Sequence, residues 1–226
     1  MNYITPELFT FFRDLRKNNN RDWFQVNKSC YEQNVREPLL QFITDFGVRL
    51  AEISPYYLAD ARKSGGSLFR INRDIRFSPD KTPYKTAAGV QFRHESGKDV
   101  HAPGFYLHLE PDNVFVGCGI WQPNTQTLGQ IRDAIVENPA RWETILADRS
   151  FRANFSLEGE SLKRAPKGYD PDHPLIENLR RKDFVAGKPF TEADACASNF
   201  MDRYTEACRA AAPFAEFLTK AVGLPW

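Results

Sequence analysis

The apolar residues of this chain change their spacing twice, and that alternation limits the folds open to it. Leu8, Phe11, Phe12 and Leu15 recur at helical spacing, as do Leu39, Phe42, Ile43, Phe46 and Leu50. The period then falls to two, so that residues 68–72, 88–93, 105–110 and 114–121 read as strands. Pro111-Asp112 makes a tight turn that joins the last two as a hairpin. Helical spacing returns with Leu128, Ile131 and Ile135, and again with Trp142, Ile145 and Leu146 after Asn138-Pro139. It reappears over residues 191–218, where Phe200, Tyr204, Cys208, Ala211, Phe214 and Leu218 make a stripe with a restart at Pro213. Helices, then strands, then helices predict an α+β fold rather than a doubly wound nucleotide fold. The expected architecture is a small, mainly antiparallel sheet in the middle of the chain, with N-terminal and C-terminal helices packed on one face. One domain over residues 1–226 then divides into helices 5–60, sheet 68–121, helices 124–147, a strap loop 156–190 and helices 191–221; with 42% hydrophobic residues the chain can build its core.

Local signals place the first helices. Thr5, Pro6 and Glu7 combine a hydroxyl cap, a proline whose missing N–H costs nothing in the first turn, and an acid at the positive end of the dipole. Asn18, Asn19 and Asn20 stop that helix, a second opens near Asn20 or Arg21, and Pro38 restarts a third. Cys30, Cys118, Cys196 and Cys208 show no C-x-x-C spacing, so neither a zinc knuckle nor a disulfide scaffold is indicated. If Cys196 and Cys208 share a helix, twelve residues separate them by about 18 Å, beyond disulfide reach. The first seventeen residues lack a basic region ahead of their apolar stretch, and no apolar run approaches a membrane span. A cytoplasmic protein with reduced thiols and no membrane partner is expected.

Alternation within strands separates the two sheet faces. If the apolar halves bury under the helices, the other face carries Arg70, Asn72, Gln91, Arg93, Tyr106, His108, Glu110 and Trp121, and Gly117 and Gly119 leave open space on it. Glycines inside a strand weaken it and mark places where another group approaches the backbone. Arginine forks, an imidazole, a carboxylate and aromatic tips suit an anionic organic ligand. The alternative is a solvated sheet face whose polar residues need no function. His108 can act as general acid or base with Glu110 orienting it, or the two can form a structural pair. A metal site would need His94 or His101 as well, and no ligand spacing supports one.

Net charge is +1, yet residues 62–93 hold eight bases against two acids, a local +6 on a chain that is otherwise net acidic. Residues 70–85, RINRDIRFSPDKTPYK, run from the first strand into a loop stiffened by Pro79 and Pro83. Arg73, Arg76, Lys81, Tyr84 and Lys85 are presented nearly preorganised to an anion, unless the arginines pair with Asp74 and Asp80 and simply pin the loop. Five segments, NNNRDWF (18–24), FRINRDIRFSPDKTPYK (69–85), PGFYLHLEPDN (103–113), GCGIWQP (117–123) and PKGYDPDHP (166–174), make the chain resemble the bacterial domain of unknown function 2461 family over nearly its whole length. The resemblance implies a cytoplasmic, single-domain bacterial protein and carries no catalytic residues with it. P-loop, dinucleotide and nucleophile-elbow motifs do not occur. The last segment reads equally as a lid or as a structural strap.

The function expected from these features is binding of an anionic small molecule, a phosphate or carboxylate, between the polar sheet face and the basic loop. His108 and Glu110 are the candidates for acid/base chemistry, and Arg70, Asn72, Arg73, Arg76, Lys81, Tyr84, Lys85, Arg93, Tyr106, Gly117, Gly119 and Trp121 for ligand contacts. No metal and no particular cofactor is indicated. The competing reading is a nucleic-acid or protein-binding module in which the same basic segment touches phosphates and aromatic rings stack on bases.

Overall fold

The computed structural model describes residues 2–97 and 102–226. Helices α1 (Pro6–Lys17), α2 (Arg21–Val26) and α3 (Lys28–Tyr31) lead through a π turn (Glu32–Arg36) into α4 (Glu37–Ile53). Strands β1 (Ala88–Arg93), β2 (Gly104–Glu110) and β3 (Asn113–Ile120) follow, then α5 (Thr125–Glu137), α6 (Pro139–Ala147) and α7 (Arg149–Asn154). The chain closes with β4 (Ser156–Glu158), α8 (Ile176–Leu179), β5 (Phe184–Phe190), α9 (Glu192–Ala195) and α10 (Phe200–Ala221). The fold is α+β: one antiparallel sheet in the order β1-β2-β3-β5-β4, flanked in sequence by helices.

Val90, Phe92, Phe105, Leu107, Leu109, Val116, Cys118, Ile120 and Phe184 point to the inner face and are buried. α10 packs on β3 and β5 there, with α4, α5, α6 and α7 against it. The centre is aromatic: Phe46 of α4 lies 4.7 Å from Phe92 and 4.9 Å from Tyr204 between ring centroids, and Trp142 lies 5.0 Å from Phe217. Ring pairs of this kind add to an already large area burial. The opposite face is only half covered, because its residues alternate with the buried ones.

Several elements differ from their sequence reading. Residues 68–72 are not a strand but an irregular edge that touches β1 through a single bridge, Leu68 to Val90, and a Phe69 N–H bond to the Gly89 carbonyl at 2.9 Å. Residues 156–190, read as a strap, contain β4 and β5, and β5 is the second partner of β3. Pro189 masked this strand; it is tolerated because β4 pairs only with residues 185–187, leaving β5 one neighbour at position 189. The expected helix over 191–218 is broken between Ala195 and Phe200, so Cys196, at the C-cap of α9, and Cys208, in α10, do not share a helix. Pro213, read as a restart, sits inside an uninterrupted α10, whose buried stripe outweighs the lost hydrogen bond. Pro38 enters α4 directly from the π turn, without a break in the helical path. The first helical region ends at Ile53 rather than near 60. Thr5 stands at the N-cap of α1 without capping it; its side chain, with the Glu7 backbone N–H, helps hold the Glu7 carboxyl below the usual range.

Candidate functional site

The outer face of the sheet is floored by glycine. Gly104 of β2 pairs with Gly119 of β3, and Gly117 of β3 pairs with Gly187 of β5, so four neighbouring positions carry no side chain. A groove of about 470 Å³ lies over them, within the range of small-molecule sites. Its walls include Phe69, Tyr106, Phe115, Trp121, Glu158 and Val185. The glycines are not equivalent. Gly119 has φ +124° and a Cβ there would run into the Phe184 carbonyl, so the backbone itself requires glycine. At Gly117 a Cβ would meet nothing closer than Tyr106 Cβ at 3.6 Å, so the fold would accept a side chain that the sequence omits.

Along β2, the alternate residues Tyr106, His108 and Glu110 form a hydrogen-bonded chain beside this floor. Tyr106 Oη is 3.0 Å from His108 Nδ1, and His108 Nε2 is 3.3 Å from Glu110 Oε2. Arg16 donates to the other Glu110 oxygen at 3.1 Å, and Asn113 donates to Oε2 at 3.3 Å. Burial pushes the His108 pKa down by more than the Glu110 hydrogen bond and charge raise it. The neutral ring therefore donates from Nε2–H to Glu110 and accepts the Tyr106 hydroxyl proton at Nδ1. Burial, with the Glu110 charge behind it, pushes Tyr106 up to about 12. Glu110 is raised by burial, but hydrogen bonds from His108 and Asn113 and the Arg16 charge more than reverse this and hold it below its ordinary value. Phe115 stacks on His108 at 4.7 Å and 19°, fixing the ring plane.

A family model described as a conserved hypothetical protein, DUF2461, matches residues 7–217, taking in the whole groove and the basic loop. The chain belongs to the DUF2461 family. No curated protein and no solved structure matches it.

In this DUF2461 protein the residues singled out from the sequence separate into two groups. Tyr106, His108, Gly117, Gly119 and Trp121 line the groove, and Glu110 stands behind His108. Lys85 lies 5.3 Å from the Phe69 ring at one end of it, half-buried; burial and then the Arg70 charge lower its pKa. Arg70 is exposed beside it. Arg93, at the end of β1, points its guanidinium toward the Gly65 carbonyl at 3.4 Å. The rest of the basic loop is held elsewhere. Arg73 bonds Asp80 and Thr82, Arg76 bonds Asp74 at 2.6 and 2.9 Å, and Lys81 donates to the Ile75 carbonyl at 2.9 Å. Asn72 is exposed and bridges Tyr84 through the backbone. Tyr84 is buried, stacked on Phe24 at 4.2 Å.

That stacking joins two of the sequence motifs. Asn19 donates to the Tyr84 carbonyl at 2.9 Å and accepts from its N–H at 3.1 Å, so the asparagine corner after α1 clasps the basic loop. The segment around Pro166 is tied to α5, where Tyr169 Oη donates to Asp133 at 2.7 Å. His94 is buried beside Tyr57, with Nδ1 accepting from Ser96 N–H at 3.1 Å and Nε2 3.0 Å from the Pro225 carbonyl. His101 lies outside the described residues. Among the described residues no group of three or more His, Cys, Asp or Glu side chains could hold a metal ion, and no helix is long and apolar enough to cross a membrane.

Sequence reasoning missed Phe69, Phe115, Gly104, Gly187, Val185 and Glu158. The alternation of Phe184, Ala186 and Phe190 was the available signal for β5, and hence for Gly187 on the polar face.

Proposed function

We propose that this protein binds a flat organic molecule bearing an anionic group, laid on the bare backbone of the sheet, with Lys85 and Arg70 receiving the anion. The observation that carries this reading is the four-glycine floor between aromatic walls, above all Gly117, where the fold leaves room for a side chain that is not there. A merely solvated face would gain β-propensity by filling that position. Among the described residues no carboxylate pairs with half-buried Lys85, and an anion beside it would offset the burial that disfavours its charge. The Tyr106–His108–Glu110 chain supports acid/base work on the bound molecule: as the Tyr106 oxygen takes a proton from the ligand, its own hydroxyl proton passes to His108 Nδ1, and the Glu110 carboxylate balances the imidazolium.

A nucleic-acid role draws less support, because Arg62, Arg73 and Arg76 are each engaged by a nearby carboxylate, Asp60, Asp80 and Asp74 respectively. The reading is tested by thermal shift of wild type, Gly117→Val and Lys85→Ala against aromatic carboxylates and phosphates. A ligand at a hundredfold excess over its Kd stabilises wild type by about 2.7 kcal/mol. Gly117→Val should lose this response to carboxylate and phosphate alike, and Lys85→Ala should weaken it; an undiminished response in Gly117→Val refutes the site.

A further inference from the structure

One side chain already rests on the glycine floor. Glu158 stands on β4 opposite Val185, and its carboxylate lies over Gly187, where a Cβ would collide with it. Its backbone is fixed, since the Arg181 guanidinium donates to the Glu158 carbonyl. The carboxylate is different. Among the described residues no donor reaches it, whereas Glu110 across the groove receives hydrogen bonds from Arg16 and Asn113. A carboxylate that no described donor reaches, held against a bare strand at the lip of an aromatic groove, has hydrogen-bonding capacity to offer whatever enters.

We propose that Glu158 reads the ligand, accepting two adjacent N–H groups from the edge of a planar nitrogen heterocycle that lies over Gly117 and Gly119. This rests on the groove being a ligand site, and it names the class of ligand. The two oxygens of a carboxylate lie in one plane and match side-by-side N–H donors on an amino-substituted ring, which a tetrahedral ammonium does not present. The aromatic walls and side-chain-free floor select a flat body. Polarity is set by the two ends. Lys85 and Phe69 border β1, Glu158 belongs to the β4–β5 edge, and the three strand spacings from β1 to β5 amount to about 14 Å. A two-ring heterocycle with a carboxylate on the far ring spans that distance when it is hydrogen-bonded at both ends.

Two probes of the same outline separate the ring edge from the anion: pterin-6-carboxylate, which carries the paired N–H donors, and 2-naphthoate, which lacks them. Both are titrated calorimetrically into wild type, Glu158→Gln and Gly117→Val. Glu158 is exposed, so its replacement by glutamine leaves the core untouched. The expected result is a preference of wild type for the pterin by roughly 10- to 100-fold, the worth of charge-assisted hydrogen bonds. Glu158→Gln should erase that preference while leaving 2-naphthoate binding unchanged, and Gly117→Val should abolish both. Equal binding of the two probes, insensitive to Glu158→Gln, overturns the assignment of Glu158 and leaves the groove standing. Failure of both probes to bind wild type overturns the groove reading and this inference together.

Discussion

Replacing Gly117 by alanine separates a glycine the fold requires from one that is left empty. Gly117 is not in the left-handed region, and an alanine Cβ would sit 3.6 Å from Tyr106 Cβ, 3.7 Å from Tyr106 Cδ1 and 3.8 Å from Phe115 Cε2, all ordinary van der Waals contacts. Removing glycine where the backbone is compatible stabilises by about 0.4–1 kcal/mol, chiefly by narrowing the unfolded ensemble. In a chain of this size that raises Tm by about 1–4 °C. Gly119→Ala is the internal contrast. Its φ of +124° and the Phe184 carbonyl in the path of a Cβ set a strain of about 1–3 kcal/mol, to which overpacking adds a similar amount. Thermal and urea denaturation of the two variants, with far-UV circular dichroism to confirm the fold, read the difference directly. If Gly117→Ala lowers Tm as Gly119→Ala does, Gly117 serves packing, and its vacancy says nothing about a guest.

Asn19→Ala removes both hydrogen bonds to the Tyr84 backbone and is expected to cost about 1–3 kcal/mol and to open residues 73–83 to proteolysis; an unchanged denaturation midpoint would show that the clasp is incidental. Tyr84→Ala deletes a ring that is 7% exposed and stacked on Phe24, at a cost of about 3–5 kcal/mol; a loss below 1 kcal/mol would return Tyr84 to the surface as a ligand contact. His108 has a folded pKa below its ordinary 6.5, so the unfolded chain binds its proton first. Its contribution is therefore complete above pH 6.5 and is lost as pH falls from 6.5 toward the folded value. Denaturation midpoints of wild type should drop across that window and those of His108→Gln should not; parallel profiles would contradict the buried neutral imidazole.

Sequence alone determined whatever depends on local spacing. The period of two assigned Tyr106, His108 and Glu110 to one face of β2 and Gly117 and Gly119 to the same face of β3, because alternation is a property of a single strand and needs no partner. It also marked the alternation of helix, strand and helix that makes the fold α+β. Partner choice was not legible. That β5 returns from far along the chain to lie beside β3, bringing Gly187 to complete the floor and Glu158 to its lip, is a long-range pairing that no local signal announces. The basic loop shows the same limit. Its cations were visible as a +6 segment, but Arg73 and Arg76 find Asp80 and Asp74 while Lys85 rests against the Phe69 ring. Charge is written into the sequence; which charges remain available is decided by the distances that folding sets, since an ion pair forms only where tertiary structure brings both partners within reach.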